Sequence, residues 1–158
     1  MSNPIQISEG GILDLDGVMR VMEDSFDAVY GEAWSAPQCA GLLPMPGVWL
    51  LLAKEKDEVV GFALSRVVMK EAELLLLAVK KKAQGRGGGK ALLHRFVEDA
   101  ASRGAEKLYL EVRDGNSAVK LYNSQGFTEV GRRSKYYTGQ DGQVYDSITL
   151  SKNIVRED

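Results

Sequence analysis

The stretch AVKKKAQGRGGGKALL, residues 78–93, has four glycines within the six positions 84–89 and then continues as apolar sequence with helical spacing. Glycine lowers helix stability by about 1 kcal/mol relative to alanine, so a glycine cluster at a helix start is costly unless bare backbone is needed there. The apolar run ELLLLAV, residues 73–79, precedes the cluster and is typical of a strand buried on both faces. The stretch therefore predicts a tight turn from a buried strand into a helix, not a slack linker.

A turn of this kind is suited to binding an anion. Peptide N–H groups at a helix N-terminus have no intrahelical partners, and together with the helix dipole they favour negative charge. Residues without side chains allow a phosphate to approach the backbone closely. Arg86 and Lys90 add positive charge, whereas the run Lys80–Lys82 is equally typical of solvated surface. The sequence predicts a phosphate-binding turn.

Two common phosphate-binding motifs do not fit this turn. In a mononucleotide P-loop ending at Gly89 and Lys90, the first glycine would fall at Gln84, and Ala91 stands where a hydroxyl must hold magnesium. A dinucleotide fingerprint that starts at Gly85 requires glycine at the position of Lys90. The segment instead matches Q-x-x-G-x-G, formed by Gln84, Gly87 and Gly89.

The rest of the chain predicts a mixed α/β fold in a single domain spanning residues 1–158. Apolar periodicity and turn residues predict, in chain order, a strand at 4–8, a helix at 13–30 with a stop at Gly31, a helix at 34–43, and strands at 48–55, 59–68 and 73–79. A long helix follows, with one apolar face and a stop at Gly104, and then a strand at 108–112, a short helix at 116–125 and a final hairpin of TEVGRRSKYY and VYDSITL. The apolar face of the long helix is formed by Leu92, Leu93, Phe96, Val97 and Ala100. A chain of 158 residues is long enough to bury a sizeable core.

Composition excludes several classes of partner. The net charge of -2 and the pI of about 5.5 give no overall attraction to nucleic acid or to an anionic membrane. The N-terminus shows no basic-then-apolar signal segment, and no apolar run approaches the length of a membrane span. Cys39 is the only cysteine and excludes an internal disulfide. These features predict a cytoplasmic protein that binds neither nucleic acid nor membrane.

Five motifs in order resemble the GNAT superfamily of acetyl-CoA-dependent N-acetyltransferases, and within it the ribosomal-protein-alanine N-acetyltransferase group, RimI. They are EAELLLLAV (71–79), QGRGGGKALL (84–93), LYLEVRDGN (108–116), LYNSQGF (121–127) and RRSKYYTGQDG (132–142). The resemblance implies a GNAT-like twisted mixed sheet of about seven strands with about four helices. It also implies that the fourth and fifth strands splay apart around acetyl-CoA and that no metal takes part.

The resemblance assigns a set of residues to acetyl-CoA. Leu77, Ala78 and Val79 would meet the pantetheine arm and the acetyl group, with the Val79 N–H polarising the thioester carbonyl. The pyrophosphate would be held by the turn, and Asn116 would be a further coenzyme A contact or, equally, only a helix cap. The cofactor-binding residues predicted in the turn are Gln84, Gly85, Arg86, Gly87, Gly88, Gly89 and Lys90.

The transfer needs a base for the acceptor amine and an acid for the leaving thiolate. The resemblance places the base at Glu111 in L-E-V-R and the acid at Tyr122 in L-Y-x-x-x-G-F. The alternatives are a salt bridge from Glu111 to Arg113 or Lys107, and a packing role for Tyr122. Six positions separate Asn116 from Tyr122, one fewer than is usual in the family.

The acceptor is less constrained by the sequence. An α-amine has a pKa near 8 and a lysine amine near 10.4, so neutralising lysine costs roughly 3 kcal/mol more, which favours α-amines. The resemblance implies a peptide or protein N-terminus, possibly that of ribosomal protein S18, with Trp34, Tyr136 and Tyr137 near it. Ala33 and Leu76 depart from the group's usual residues. A small-molecule amine, a lysine side chain or a non-catalytic acyl-CoA-binding module stay open as alternatives.

Overall fold

The computed structural model describes residues 3–154, which form one seven-stranded sheet flanked by four α-helices. The strands are β1 (Ile5–Gly10), β2 (Val48–Glu55), β3 (Glu58–Val68), β4 (Glu71–Val79), β5 (Lys107–Arg113), β6 (Thr128–Thr138) and β7 (Val144–Asn153). The helices are α1 (Leu15–Ser25), α2 (Ala36–Leu42), α3 (Gly88–Ser102) and α4 (Ala118–Ser124). The predicted elements are confirmed, with shifts at their ends.

The sheet has the order β1-β2-β3-β4-β5-β7-β6, and only β4 and β5 run parallel. Their pairing joins Glu71–Leu74 to Lys107–Leu110 and ends there, although β4 continues to Val79 and β5 to Arg113. The predicted mixed sheet, splayed between its fourth and fifth strands, is confirmed. A gap therefore opens within the sheet, between the ends of two neighbouring strands.

A β-bulge in β4 lies at the point where the gap begins. Leu64 pairs with Leu76 and the next residue of β3, Ser65, pairs with Leu74, so Leu75 is an extra residue in β4. A bulge of this kind interrupts the alternation of side chains and bends the strand. Ala72 and Leu74 accordingly pack on one side of the sheet, whereas Leu75 and Leu76 both pack on the other.

Two hydrophobic cores cover the two faces of the sheet. The first, here the α3 core, joins α3, α4 and the apolar faces of β5 and β7, and includes Phe96, Leu110 and Phe127. The second, the α1 core, joins α1 and α2 to β2 and β3, and includes Met22 and Phe62. Side chains of β4 enter both cores, which confirms that this strand is buried on both faces.

The first helix is shorter than the predicted span of 13–30. It ends at Ser25, whose hydroxyl donates to the Val21 carbonyl at 2.7 Å, and the next residue, Phe26, is extended with φ -98° and ψ 123°. A separate 3-10 turn over Ala28–Tyr30 follows, and Gly31 at φ +68° ends it. The predicted stop at Gly31 is therefore present, but it ends the turn and not the helix.

Candidate active site

The glycine turn adopts a conformation that side chains rarely allow. Gly85 has φ +79° and Gly87 has φ +83°, and a Cβ built on either would meet nothing within 4 Å. Helix α3 starts at Gly88, and the Ala91 N–H is the donor that reaches the Gly87 carbonyl, at 2.9 Å. The N–H groups before Ala91 therefore have no partner within the helix and lie at the positive end of its dipole.

A cavity of about 450 Å³ opens in front of this turn. It is here called the turn cavity. Of the residues that the sequence assigns to acetyl-CoA, it is lined by Leu77, Ala78, Val79, Gln84, Gly85, Gly87, Gly88, Gly89, Lys90 and Asn116. Arg86 is absent from this lining because its guanidinium donates to the Glu55 carboxylate at 2.7 Å and to the Asn3 carbonyl at 2.6 Å. The Arg86 side chain is thus turned away from the cavity.

The Val79 N–H faces the gap between β4 and β5. The N–H of Lys80 donates to the Val60 carbonyl at 2.7 Å, and neighbouring peptide groups in a strand point in opposite directions. The N–H and carbonyl of Val79 consequently point away from β3. Gln84 donates its side-chain amide to that carbonyl at 2.9 Å, which ties the turn to the end of β4.

A buried ion pair joins the loop before α2 to the end of β5. The Arg113 guanidinium lies 2.8 Å from the Glu32 carboxylate, with only 11% and 10% of the two side chains exposed. The Arg113 guanidinium also stacks on the Tyr30 ring, with its Cζ atom 3.6 Å from the ring centre. Asn116 donates to the second Glu32 oxygen at 2.9 Å. Tyr30, Glu32, Arg113 and Asn116 all line the turn cavity, so this network forms one of its walls.

Asn116 also serves the start of α4. Its side-chain oxygen accepts from the Ala118 N–H at 2.8 Å. The helix begins at Ala118, two residues later than predicted, and its N-cap position is Ser117 and not Asn116. The Asn116 side chain thus binds the first turn of α4 and Glu32, and it lines the cavity.

Glu111 faces a different cavity, of about 300 Å³, on the sheet face that carries α1 and α2. It is here called the Glu111 cavity. The Glu111 carboxylate lies 2.9 Å from the Arg133 guanidinium of β6, with 18% of the Glu111 side chain exposed. The salt bridge considered as an alternative is present, but its predicted partners were wrong: Arg113 binds Glu32, and Lys107 lies over the Tyr109 ring. Glu111 and Arg113, two residues apart on β5, line the two cavities.

Tyr122 is buried in the α3 core at the inner side of α4. Only 5% of it is exposed, and its ring packs edge-to-face against Phe127 at 6.2 Å. Burial, and then the nearby Glu32 and Tyr137, raise the pKa of the Tyr122 hydroxyl well above its ordinary value. The hydroxyl therefore stays protonated under physiological conditions.

Of the residues predicted near the acceptor, Trp34 lies in the loop before α2, and Tyr136 and Tyr137 lie in β6, whose following hairpin touches the 3-10 turn. The Gln140 N–H, in the β6–β7 hairpin, donates to the Ala28 carbonyl at 3.2 Å. Trp34 is half-buried against the α1 core. Tyr136 is 48% exposed and meets Tyr137 edge-to-face at 4.9 Å. Burial raises the pKa of the Tyr137 hydroxyl to about 12.

Three further features bear on the site. His94 lies on α3 with its Nε2 2.6 Å from the Gln125 side-chain oxygen, outside both cavities. In the described part of the chain, no group of three or more His, Cys, Asp or Glu side chains is placed to hold a metal ion. Among residues 3–154, no helix is both long and apolar enough to cross a membrane.

Sequence reasoning missed Glu32, Arg113 and Arg133 as members of the site. The Glu32–Arg113 contact joins residues 81 positions apart, and no local pattern marks it. Arg113 lies in the L-E-V-R motif and Arg133 in RRSKYY, and both motifs were recognised in the sequence. The carboxylates with which the two arginines form ion pairs could not be predicted from these motifs. Only the folded arrangement shows which acid each arginine meets.

The match to a family model defines the class of protein. The model of the acetyltransferase (GNAT) family matches residues 15–127. The chain belongs to this family of acetyl-CoA-dependent N-acetyltransferases, as the splayed sheet and the glycine turn lead one to expect.

The individual relatives are more specific. The chain is 36% identical over 97 residues to a [ribosomal protein bS18]-alanine N-acetyltransferase of Haemophilus influenzae, covering 61% of this chain and 66% of the relative. It is 39% identical over 101 residues to the Escherichia coli K12 enzyme of the same name, covering 63% and 68%. The matched segment thus spans about two thirds of these relatives. The crystal structure of the ribosomal-protein-S18-alanine N-acetyltransferase from Escherichia coli superposes with a TM-score of 0.86 at 29% identity, covering 98% of this chain and 97% of that one.

Proposed function

We propose that this protein transfers the acetyl group of acetyl-CoA to the α-amine at a protein N-terminus, with the N-terminal alanine of ribosomal protein S18 as acceptor. The observation that carries the proposal is the turn cavity, which joins a row of bare N–H groups at α3 to the gap between β4 and β5. The names of the relatives support the choice of acceptor.

The turn residues fit a pyrophosphate. The space beside Gly85 and Gly87, which a side chain would fill, is open to a ligand, and the backbone N–H groups there would bind phosphate oxygens. Lys90 would add a positive charge. Leu77 and Ala78 would line the pantetheine arm, and Asn116 would contact coenzyme A from the opposite wall. The Val79 N–H, directed into the gap, would polarise the thioester carbonyl.

Two side chains would carry the protons. Glu111 would accept a proton from the acceptor ammonium, through a water molecule, and so release the lone pair that attacks the carbonyl carbon. The carbon–sulfur bond then breaks, and Tyr122 would give its proton to the leaving thiolate. The Tyr122 hydroxyl carries the proton that this role requires, although its raised pKa makes it a weaker acid than an exposed tyrosine. Trp34, Tyr136 and Tyr137 would surround the acceptor chain.

An acceptor panel tests the transfer. The protein is incubated with labelled acetyl-CoA and a peptide that carries the Ala-starting N-terminus of S18, the same peptide with a blocked α-amine, a lysine-containing peptide, polyamines and free amino acids. We expect label on the free N-terminal peptide only. Label confined to small free amines would exclude the peptide acceptor, and label on none of them, with acetyl-CoA still bound, would favour a binding module.

Two isosteric variants test the proton carriers. Glu111→Gln and Tyr122→Phe are each expected to lower kcat by about 100-fold or more, because general acid–base steps contribute that much, and to leave the Kd of acetyl-CoA unchanged. The measurements are steady-state kinetics and calorimetric titration of acetyl-CoA. Wild-type turnover in the Glu111→Gln variant would remove Glu111 from the role of base.

A further inference from the structure

The carboxylate of Glu111 lies between a second acid and one arginine. Glu73 of β4 lines the same cavity, and burial, followed by the charge of Glu111, raises the pKa of the Glu73 carboxyl. Glu73 has its own cation, Arg66, at 3.7 Å. On the other side, Arg133 reaches Glu111 at 2.9 Å. Because two neighbouring carboxylates repel each other, the position of the Glu111 carboxylate depends on the cation that faces it.

Arg133 reaches Glu111 from a strand that is not its neighbour. In the sheet, β7 lies between β5 and β6, and Arg133 pairs with Ser147 of β7. The arginine therefore extends across β7 to meet an acid two strands away. Its side chain is 61% exposed, compared with 18% for Glu111, so it forms the outer, solvent-facing side of the Glu111 cavity.

A large bulge in β6 begins directly after Arg133. Arg133 pairs with Ser147 and Tyr137 pairs with Tyr145, so four steps along β6 match two along β7. Within the bulge, Lys135 has φ +52°, which side-chain-bearing residues rarely adopt, and its N–H donates to the Asp146 carboxylate at 3.0 Å. Bulges re-aim side chains, and strained backbone concentrates at functional sites.

The result of the bulge is that Arg133 and Tyr136 converge on the same acid. The Arg133 guanidinium lies 5.4 Å from the centre of the Tyr136 ring. Burial, and then the charge of Glu111, raise the pKa of the Tyr136 hydroxyl. In a strand with regular alternation, residues three positions apart would point to opposite faces.

We propose that Arg133 is a positioning residue, which reaches across β7 to hold the Glu111 carboxylate in the geometry that accepts the acceptor's proton. The inference rests on the proposed role of Glu111 as base. Arg133 acts through Glu111 and not on the acceptor. A misplacement of about 1 Å in a catalytic group is enough to cost up to about 100-fold in rate.

A double-mutant cycle tests this role on the full-length protein. Arg133→Ala is expected to lower kcat by about 10-fold with the KM for acetyl-CoA unchanged, and Arg133→Lys to recover part of the loss. In the Glu111→Gln background, Arg133→Ala should lower the residual single-turnover rate no further. Added guanidinium ions should raise the rate of Arg133→Ala but not that of the double variant. Arg95→Ala, which removes an exposed arginine paired with Asp99 on α3, is the matched control.

The outcomes separate the two proposals. If Glu111→Gln is inactive and Arg133→Ala has wild-type kinetics, the positioning role is wrong and the proposed base stands. If Arg133→Ala costs the same factor in both backgrounds, the arginine acts on the acceptor directly, and the inference is likewise overturned. If Glu111→Gln keeps wild-type turnover, the proposed base itself fails. A thermal unfolding midpoint measured for every variant separates loss of rate from loss of fold.

Discussion

The proposed coenzyme side and the proposed acceptor side of this protein differ in the groups that form their surfaces. At the glycine turn the surface is backbone, with Gly85 and Gly87 held at positive φ so that N–H groups are bare. At the Glu111 cavity, the proposed acceptor side, the surface is formed by side-chain pairs, among them Glu111 with Arg133 and Glu73 with Arg66. Backbone N–H groups stay the same when one residue replaces another, so a site made of them keeps its ligand. The binding preference of a site made of side chains changes with each substitution. The acceptor side is therefore where specificity would vary among relatives.

The largest expected effect is a loss of stability when the ion pair between Glu32 and Arg113 is broken. Glu32→Ala leaves Arg113 buried without its carboxylate, and breaking a buried pair in this way costs about 3–5 kcal/mol. We expect a loss of about 3 kcal/mol in the free energy of unfolding, measured by urea denaturation. The exposed Arg95–Asp99 pair provides the control, because Arg95→Ala should cost less than about 0.5 kcal/mol. Equal losses in the two variants would mean that Glu32 is no more than a surface contact.

The backbone site is tested by placing a side chain in the turn. Gly87→Val is expected to weaken coenzyme A binding by about 10-fold or more, because the Cβ occupies the space open to phosphate and the backbone is strained. Gly104→Val introduces similar strain, at φ +92° beyond the end of α3. We expect both variants to lose about 1–2 kcal/mol of stability and only Gly87→Val to lose affinity in calorimetric titration. Equal affinities would contradict the phosphate-binding turn.

The smallest expected effect is a pH dependence on the acceptor side. Burial raises the pKa of Tyr137 to about 12 from an ordinary value near 10, so the neutral hydroxyl is favoured in the folded protein. This contribution is complete below pH 10 and is lost as pH rises from about 10 to about 12. Relative to Tyr137→Phe, the wild type should lose on the order of 1 kcal/mol over that range, measured by thermal unfolding. Parallel curves for the two proteins would indicate that water reaches Tyr137.

The sequence was most informative where the site depends on local backbone. Short sequence patterns predict the glycine turn, the helix that follows it and the succession of strands along the chain. All of these are present in the structure. The bulge at Leu75 could not be predicted from the sequence. A run of four leucines has no alternation of polar and apolar residues to show which face of the sheet each one occupies. Whether Glu111 and Tyr122 act as base and acid stays a prediction.

Contacts between side chains that are far apart in the sequence could not be predicted for a different reason. The partner of a charged side chain is set by the register of whole strands and not by its neighbours in the sequence. Arg113 lies in the same L-E-V-R motif as Glu111 and yet binds Glu32, while the Arg133 side chain extends across β7 to Glu111. The direction of the Arg86 side chain, towards Glu55 and not the turn cavity, depends in the same way on where β2 lies.

The gap between β4 and β5 has a consequence for the lifetime of the protein. Beyond Leu74 and Leu110 the two strands give up the hydrogen bonds of a continuous sheet, and a ligand that fills the gap would bind only the folded state. A ligand that binds only the folded state adds about 2.7 kcal/mol of stability at a hundred times its Kd. Resistance to proteolysis should therefore rise and fall with the concentration of free acetyl-CoA, which would couple the abundance of the protein to the supply of its own substrate.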